Sequence, residues 1–163
     1  MREGGTKCRM RWNTLNSMES KENISKTSII TDKLKNEKIT DIRQIPALTL
    51  AYLGDAIYEL IIRTTLVENG MCHVNDLNKK ASEYAKAPTQ AKICHALEEK
   101  FTDEEMSVFK RGRNAKSGSV AKSGTVTDYR NATGFEALLG YLYLNGNMER
   151  IMELVEEGIS LIK

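Results

Sequence analysis

The stretch Leu48–Ile62, LTLAYLGDAIYELII, decides the fold. It is apolar around most of a helical circumference, yet it carries a carboxylate, Asp55, at its middle. At about 100° per residue, Leu50, Leu53, Ile57, Leu60 and Ile61 form one stripe. Asp55 lies on the opposite side, beside Leu48, Ala51, Tyr58 and Ile62. Two greasy faces predict a helix buried at the centre of a domain. A lone carboxylate in such a helix is costly unless it meets a cation, a partner or a metal.

A second stretch of the same character is Gly134–Leu144, GFEALLGYLYL, whose only charge is Glu136. Tyr129, Ala132, Thr133, Gly140 and Tyr143 share the Glu136 face at helical spacing. Ala132, Thr133 and Gly140 are small, so another helix can approach there. Two central helices, each with one acid, predict that the acids meet. Paired acids suit a hard, oxygen-preferring cation such as Mg²⁺. Alternatively, both acids reach the surface or cap local amides.

With 163 residues the chain is one domain, or one domain and a tail. Three cysteines, an odd number, give no disulfide framework and fit a reducing, cytoplasmic setting. No apolar run is long enough for a membrane span, and residues 1–20 lack the apolar core of a secretory signal. Two prolines and an abundance of Ala, Leu, Lys and Glu favour helix. The fold class is all-α.

Residues 1–40 read as a polar extension rich in Lys, Asn, Ser and Thr, with a charge of +4 and at most a short helix near Ile29–Leu34. Met18 offers a second start. The globular part, 41–163, opens with Pro46 in the first turn of the central helix, which runs to about Val67 and stops at Asn69-Gly70. A helix from Asn75-Asp76 to about Ala85 packs through Leu77, Ala81 and Tyr84. Pro88 opens another, to about Lys100, with Ile93, Ala96 and Leu97 inward. Thr102 and Glu105 form a capping box for a helix to roughly Arg111, with Met106 and Phe109 inward. Thr127-Asp128 restart a helix that ends near Asn145-Gly146. The last helix, Met148 to about Ile162, carries Ile151, Leu154, Val155, Ile159 and Ile162.

Between these helices, Lys110–Thr127 reads KRGRNAKSGSVAKSGTVT, a loop without apolar periodicity. From Lys110 to Arg130 the charge is +5, above the +2 of the whole chain. Lys110, Arg111, Arg113, Asn114, Lys116, Lys122 and Arg130 are its candidate polyanion-binding residues, since Arg forks and glycine-flanked backbone suit phosphate oxygens. With Tyr129 as the nearby aromatic, a duplex backbone fits better than stacked single-strand bases. Alternatively the segment is a solvated loop. The pairs Cys72-His73 and Cys94-His95 chelate zinc badly, because adjacent helical residues point about 100° apart. Glu59, one turn after Asp55, either extends the acid cluster or pairs with Arg63.

LAYLGDAIYEL resembles the signature helix of the ribonuclease III family, and FEALLGYLYL resembles its second motif. With RGRNAKSG, the likeness extends over residues 45–162 to the small, catalytic-domain-only branch called Mini-ribonuclease III. The resemblance implies a Mg²⁺-dependent endoribonuclease acting on double-stranded RNA, with Mn²⁺ as a substitute metal. It places Asp55 and Glu136 on the family's catalytic, metal-binding acids. It implies in-line hydrolysis leaving 5′-phosphate and 3′-hydroxyl ends, a homodimer paired through the signature helix, and precursor 23S ribosomal RNA as substrate. Further acids of the larger relatives are replaced here by Leu48, Ala51 and Thr133. No separate double-stranded-RNA-binding domain follows, so grip on RNA falls to the catalytic face, the basic loop and a helper such as a ribosomal protein. Two other functions compete. One is a catalytically weak or inactive RNA-binding protein of the ribosome on the same scaffold. The other is an all-α nucleotide pyrophosphohydrolase, which needs more clustered Glu than Asp55 and Glu59 supply.

Overall fold

The computed structural model describes residues 41–116 and 124–162. The polar extension, the short helix near Ile29–Leu34, Met18 and Lys122 lie outside the described residues. Among the described residues there are six α-helices and two short 3₁₀ turns, Ile42–Gln44 and Glu98–Lys100, and no strand. The helices are α1 (Ala47–Glu68), α2 (Val74–Ala85), α3 (Ala87–Leu97), α4 (Asp103–Arg113), α5 (Val126–Leu144) and α6 (Met148–Leu161).

The boundaries follow local chemistry. Pro46 caps α1, and Gly70 adopts a positive φ of 82° just beyond its end. Pro88 occupies the first turn of α3. The Thr102–Glu105 capping box opens α4 as expected. A second box, Thr125 with Asp128, opens α5 two residues earlier than Thr127. Helix α4 also extends to Arg113, beyond the start of the segment read as a loop. Gly112 explains this: a Cβ there would lie 2.6 Å from the Ala137 Cβ and 3.0 Å from the Gly134 Cα. That glycine serves close helix packing rather than loop freedom. Lys110, Arg111 and Arg113 thereby fall in the last turn of α4, where positive charge suits the helix dipole.

Helices α1 and α5 form the central pair, and α3 and α4 pack on α5. The crossing of α1 and α5 is set by two glycines. A Cβ on Gly54 would sit 1.8 Å from the Glu136 carbonyl oxygen, and one on Gly140 2.1 Å from that of Leu50. The backbones therefore touch. Around them the main core gathers Tyr58, Ile61, Ile93, Leu97, Phe109, Phe135, Leu138, Ile151 and Leu154. Tyr58 meets Phe135 edge-on at 6.1 Å and donates its hydroxyl hydrogen to the Tyr84 carbonyl at 3.2 Å. Arg150 of α6 ties down the start of α4: the Glu105 carboxylate accepts from it at 2.9 Å, and the Lys100 carbonyl at 2.8 Å.

The central helix is not covered on all sides. Ala51, Tyr58 and Ile62 are buried, but Asp55 is exposed, and Tyr52 and Leu60 are 84% and 63% exposed. Leu60 does not join the inward stripe with Leu50 and Ile61. Tyr52, Ala56, Leu60 and Val67 instead lie on an outward arc that also carries the Glu59–Arg63 ion pair. Helical periodicity places residues around α1 but cannot say which arc the neighbouring helices leave open.

Gly140→Ala should lower the unfolding free energy by the upper end of about 1–3 kcal/mol, because the added methyl meets backbone rather than a movable side chain. Urea unfolding followed by circular dichroism measures this. A midpoint matching the parent chain would rule out backbone contact at the crossing.

Candidate active site

Asp55 follows the Gly54 contact directly, and Glu136 supplies the carbonyl that Gly54 touches. The crossing thus places both acids at one junction. Glu136 is partly buried, and Asp55 lies at the exposed rim. Burial first, and then the charge of Asp55, push the Glu136 carboxyl up to about 8, while a hydrogen bond from Gln90 works the other way. Asp55 is raised too, by partial burial and then by Glu59. The charge of Glu136 also reaches Tyr58, whose hydroxyl is raised chiefly by burial, then by Tyr84 and Glu136. The charge of Asp55 helps Glu136 hold its proton, and the two acids form a latent cation site, because a divalent ion relieves both burial and repulsion.

Glu59 takes the quieter of its two readings. Its carboxylate accepts from Arg63 at 2.9 Å and 3.2 Å, although its charge is still felt at Asp55. Thr133, three residues before Glu136, donates its hydroxyl hydrogen to the Tyr129 carbonyl at 3.0 Å. Among the described residues no group of three His, Cys, Asp or Glu side chains is placed to hold a metal. Cys94 is buried in the core, its thiol pushed up to about 12 mainly by burial, and Cys72 is exposed.

Sequence spacing missed Gln90. It is 1% exposed on α3, which packs on the Glu136-bearing helix α5. Its signal was available: Gln90, Ile93, Cys94 and Leu97 follow one helical stripe, and all four are buried. A polar residue on a buried apolar stripe calls for a partner.

The basic residues divide. Lys110, Lys116 and Arg130 are exposed, as are Arg111 and Asn114. Arg111 donates to the Arg43 carbonyl, which turns it toward the start of the described chain. Arg113 is half-buried, with its guanidinium 5.7 Å from the centre of the Phe109 ring. Asn114 caps α4. The charge of the segment is therefore partly spent on holding α4 in place.

The family model "Ribonuclease III domain" matches residues 48–147. Mini-ribonuclease 3 of Symbiobacterium thermophilum is 47% identical over 119 residues, covering 73% of this chain and 92% of that protein. Mini-ribonuclease 3 of Desulfitobacterium hafniense is 50% identical over 115 residues, 71% and 73% of the two chains. An X-ray crystal structure of a Fusobacterium nucleatum protein superposes with a TM-score of 0.67 at 33% identity, covering 76% of this chain and 98% of that one. The chain belongs to the Mini-ribonuclease 3 branch of the ribonuclease III family.

Because Glu136 holds its proton more tightly in the folded chain than at its ordinary value of 4.5, its contribution to stability is complete below that pH and is lost as pH rises through about 8. Asp55, also raised, acts in the same direction. In EDTA, unfolding free energy should fall as pH climbs from 4.5 to 8, and Glu136→Gln should flatten most of that slope. A slope unchanged in the variant would remove Glu136 as its origin.

Proposed function

We propose that this chain is a Mg²⁺-dependent endoribonuclease of double-stranded RNA in which Asp55 and Glu136 are the catalytic, metal-holding acids. The observation that carries this is their convergence at the Gly54–Gly140 crossing, where neither acid forms an ion pair with a basic residue among the described residues. The donor set is all oxygen and has few protein ligands. That suits Mg²⁺, which keeps several waters and takes further oxygens from substrate phosphate, with Mn²⁺ as a close substitute. When bound, such an ion polarises a phosphate oxygen and lowers the pKa of water.

The chain's own residues divide the remaining work. Glu136, held from the protein side, gives the site a fixed anchor. Asp55, at the rim, faces the side from which a phosphodiester can enter. Lys110, Lys116 and Arg130 offer exposed charge to RNA phosphates, with Arg111, Arg113, Asn114 and Lys122 completing the basic segment. Glu59 acts on Asp55 electrostatically while it remains paired with Arg63. The product ends are 5′-phosphate and 3′-hydroxyl. Precursor 23S ribosomal RNA is the proposed substrate, a ribosomal protein the proposed helper, and the cytoplasm the proposed setting. No described helix is long and apolar enough to cross a membrane.

The outward arc of α1 supports a homodimer. Tyr52, Leu60 and Val67 are large, apolar and exposed on one side of the helix that carries Asp55. A two-fold pairing through this arc would set two acid sites side by side, one for each strand of a duplex. Leu60→Glu should convert a dimer to a monomer in analytical ultracentrifugation while leaving the helical spectrum intact. An unchanged sedimentation coefficient would exclude α1 as the interface.

The second function class, a binding protein with no chemistry, is separated by one variant. Asp55→Asn should abolish Mg²⁺-dependent cutting of a labelled long RNA duplex while gel-shift affinity is retained. EDTA should stop the parent enzyme. Binding by the parent chain without any cutting, with Mg²⁺ and a natural precursor RNA supplied, would favour the inactive scaffold.

A further inference from the structure

Gln90 is a buried polar side chain that the proposed chemistry has not yet used. Its amide nitrogen faces two acceptors. One is the Ala85 carbonyl, 3.5 Å away at the end of α2, and the other is the Glu136 carboxylate. Since the Ala85 carbonyl can only accept, the nitrogen rather than the oxygen must lie on that side, which fixes the orientation of the amide. The oxygen, Oε1, is then left over. It is the one buried side-chain oxygen or nitrogen among the described residues without a hydrogen-bond partner.

An unpartnered buried amide oxygen destabilises a fold, and a volume-matched apolar side chain would avoid the penalty. Folding uses the nitrogen, on the Ala85 carbonyl, but gives no reason for the oxygen. On the buried stripe of Ile93, Cys94 and Leu97, an apolar residue would pack as well. Its neighbour supplies a reason. Glu136 emerges from α5, on which α3 packs, so a rigid donor on α3 can hold its carboxylate. The free Oε1 belongs to the same small planar group and lies close to that contact.

We propose that Gln90 is a positioning residue of the cation site: its amide nitrogen orients the Glu136 carboxylate, and its amide oxygen accepts a hydrogen from the water shell of the bound divalent ion. The inference rests on Asp55 and Glu136 being the metal-holding acids. Mg²⁺ and Mn²⁺ retain ordered waters whose hydrogens need acceptors, and carboxylate ligands are oriented by neighbours in the next layer. A buried, immobile amide meets both needs. Asp55, at the exposed rim, has bulk water for the same purpose.

The test uses the full chain without RNA, with Mn²⁺ as the probe. Free Mn²⁺ is followed by electron paramagnetic resonance, and Mg²⁺ competition confirms a shared site. Gln90→Met keeps the volume and removes both polar atoms. It should weaken Mn²⁺ binding by about 10-fold or more. The melting temperature in EDTA should stay within about 2 °C of the parent or rise. A structural hydrogen bond would instead show as a clearly lower melting temperature, and that result, or parental Mn²⁺ affinity, overturns the proposal. Asp55→Asn separates the two levels. If it loses Mn²⁺ while Gln90→Met does not, the acid pair stands and the role of Gln90 fails. If Asp55→Asn and Glu136→Gln both bind Mn²⁺ like the parent, the acid-pair site itself fails. Should Gln90→Met not fold, Gln90→Asn, which keeps the amide but withdraws it by one methylene, is judged by the same affinity and melting criteria.

Discussion

Two backbones touch at Gly54 and Gly140, and the rest of the molecule is arranged around that contact. Any side chain at either position would force α1 and α5 apart. The acids would then separate, because Asp55 is the next residue after one contact and Glu136 supplies the carbonyl of the same contact. Close approach is repeated outward. Gly112 lets α4 settle on Gly134 and Ala137 of α5, and Gly158 lets α6 settle on Ile93 of α3. Small residues in the middle of helices cost some helical propensity, and here they are offset by interhelical packing.

The electrostatics follow from that geometry. Placing Glu136 against protein and near Asp55 makes its charged form unfavourable in the isolated chain, so the proton stays until a cation replaces it. Tyr58 and Gln90 belong to the same neighbourhood, one reaching across to Tyr84 and the other to Ala85. The middles of α1 and α5, the end of α2 and the start of α3 thus meet around one carboxylate. A site built this way is rigid on its protein side and open at its rim, which suits an extended polymer better than an enclosed small molecule.

Leu48, Ala51 and Thr133, on the two acid-bearing helices, add no carboxylate to the pair. Ala51 is buried, and the Thr133 hydroxyl is turned back to its own helix at the Tyr129 carbonyl. Few protein oxygens therefore surround the acid pair, and substrate and water oxygens must fill more of a cation's shell. That places more weight on whatever fixes Glu136 from behind.

The sequence by itself determined the helices, their order and the two acids. Helical periodicity, Pro46, Pro88, the Thr102–Glu105 box and Asn145-Gly146 are local signals, and local backbone chemistry obeys them. It also showed that Asp55 and Glu136 were odd residues on apolar helices. Only the tertiary structure decided what required knowing which surfaces meet. It turned Leu60 outward, because no described neighbour covers that arc of α1. It made Gly112 a packing residue instead of a loop residue. It drew Arg113 onto Phe109 and Arg111 toward Arg43, removing them from a purely solvent-facing basic segment. It brought Gln90 to Glu136, forty-six positions apart in the chain. Periodicity assigns a residue to a face of its own helix, but a contact between helices depends on crossing geometry, and that was set by the glycines.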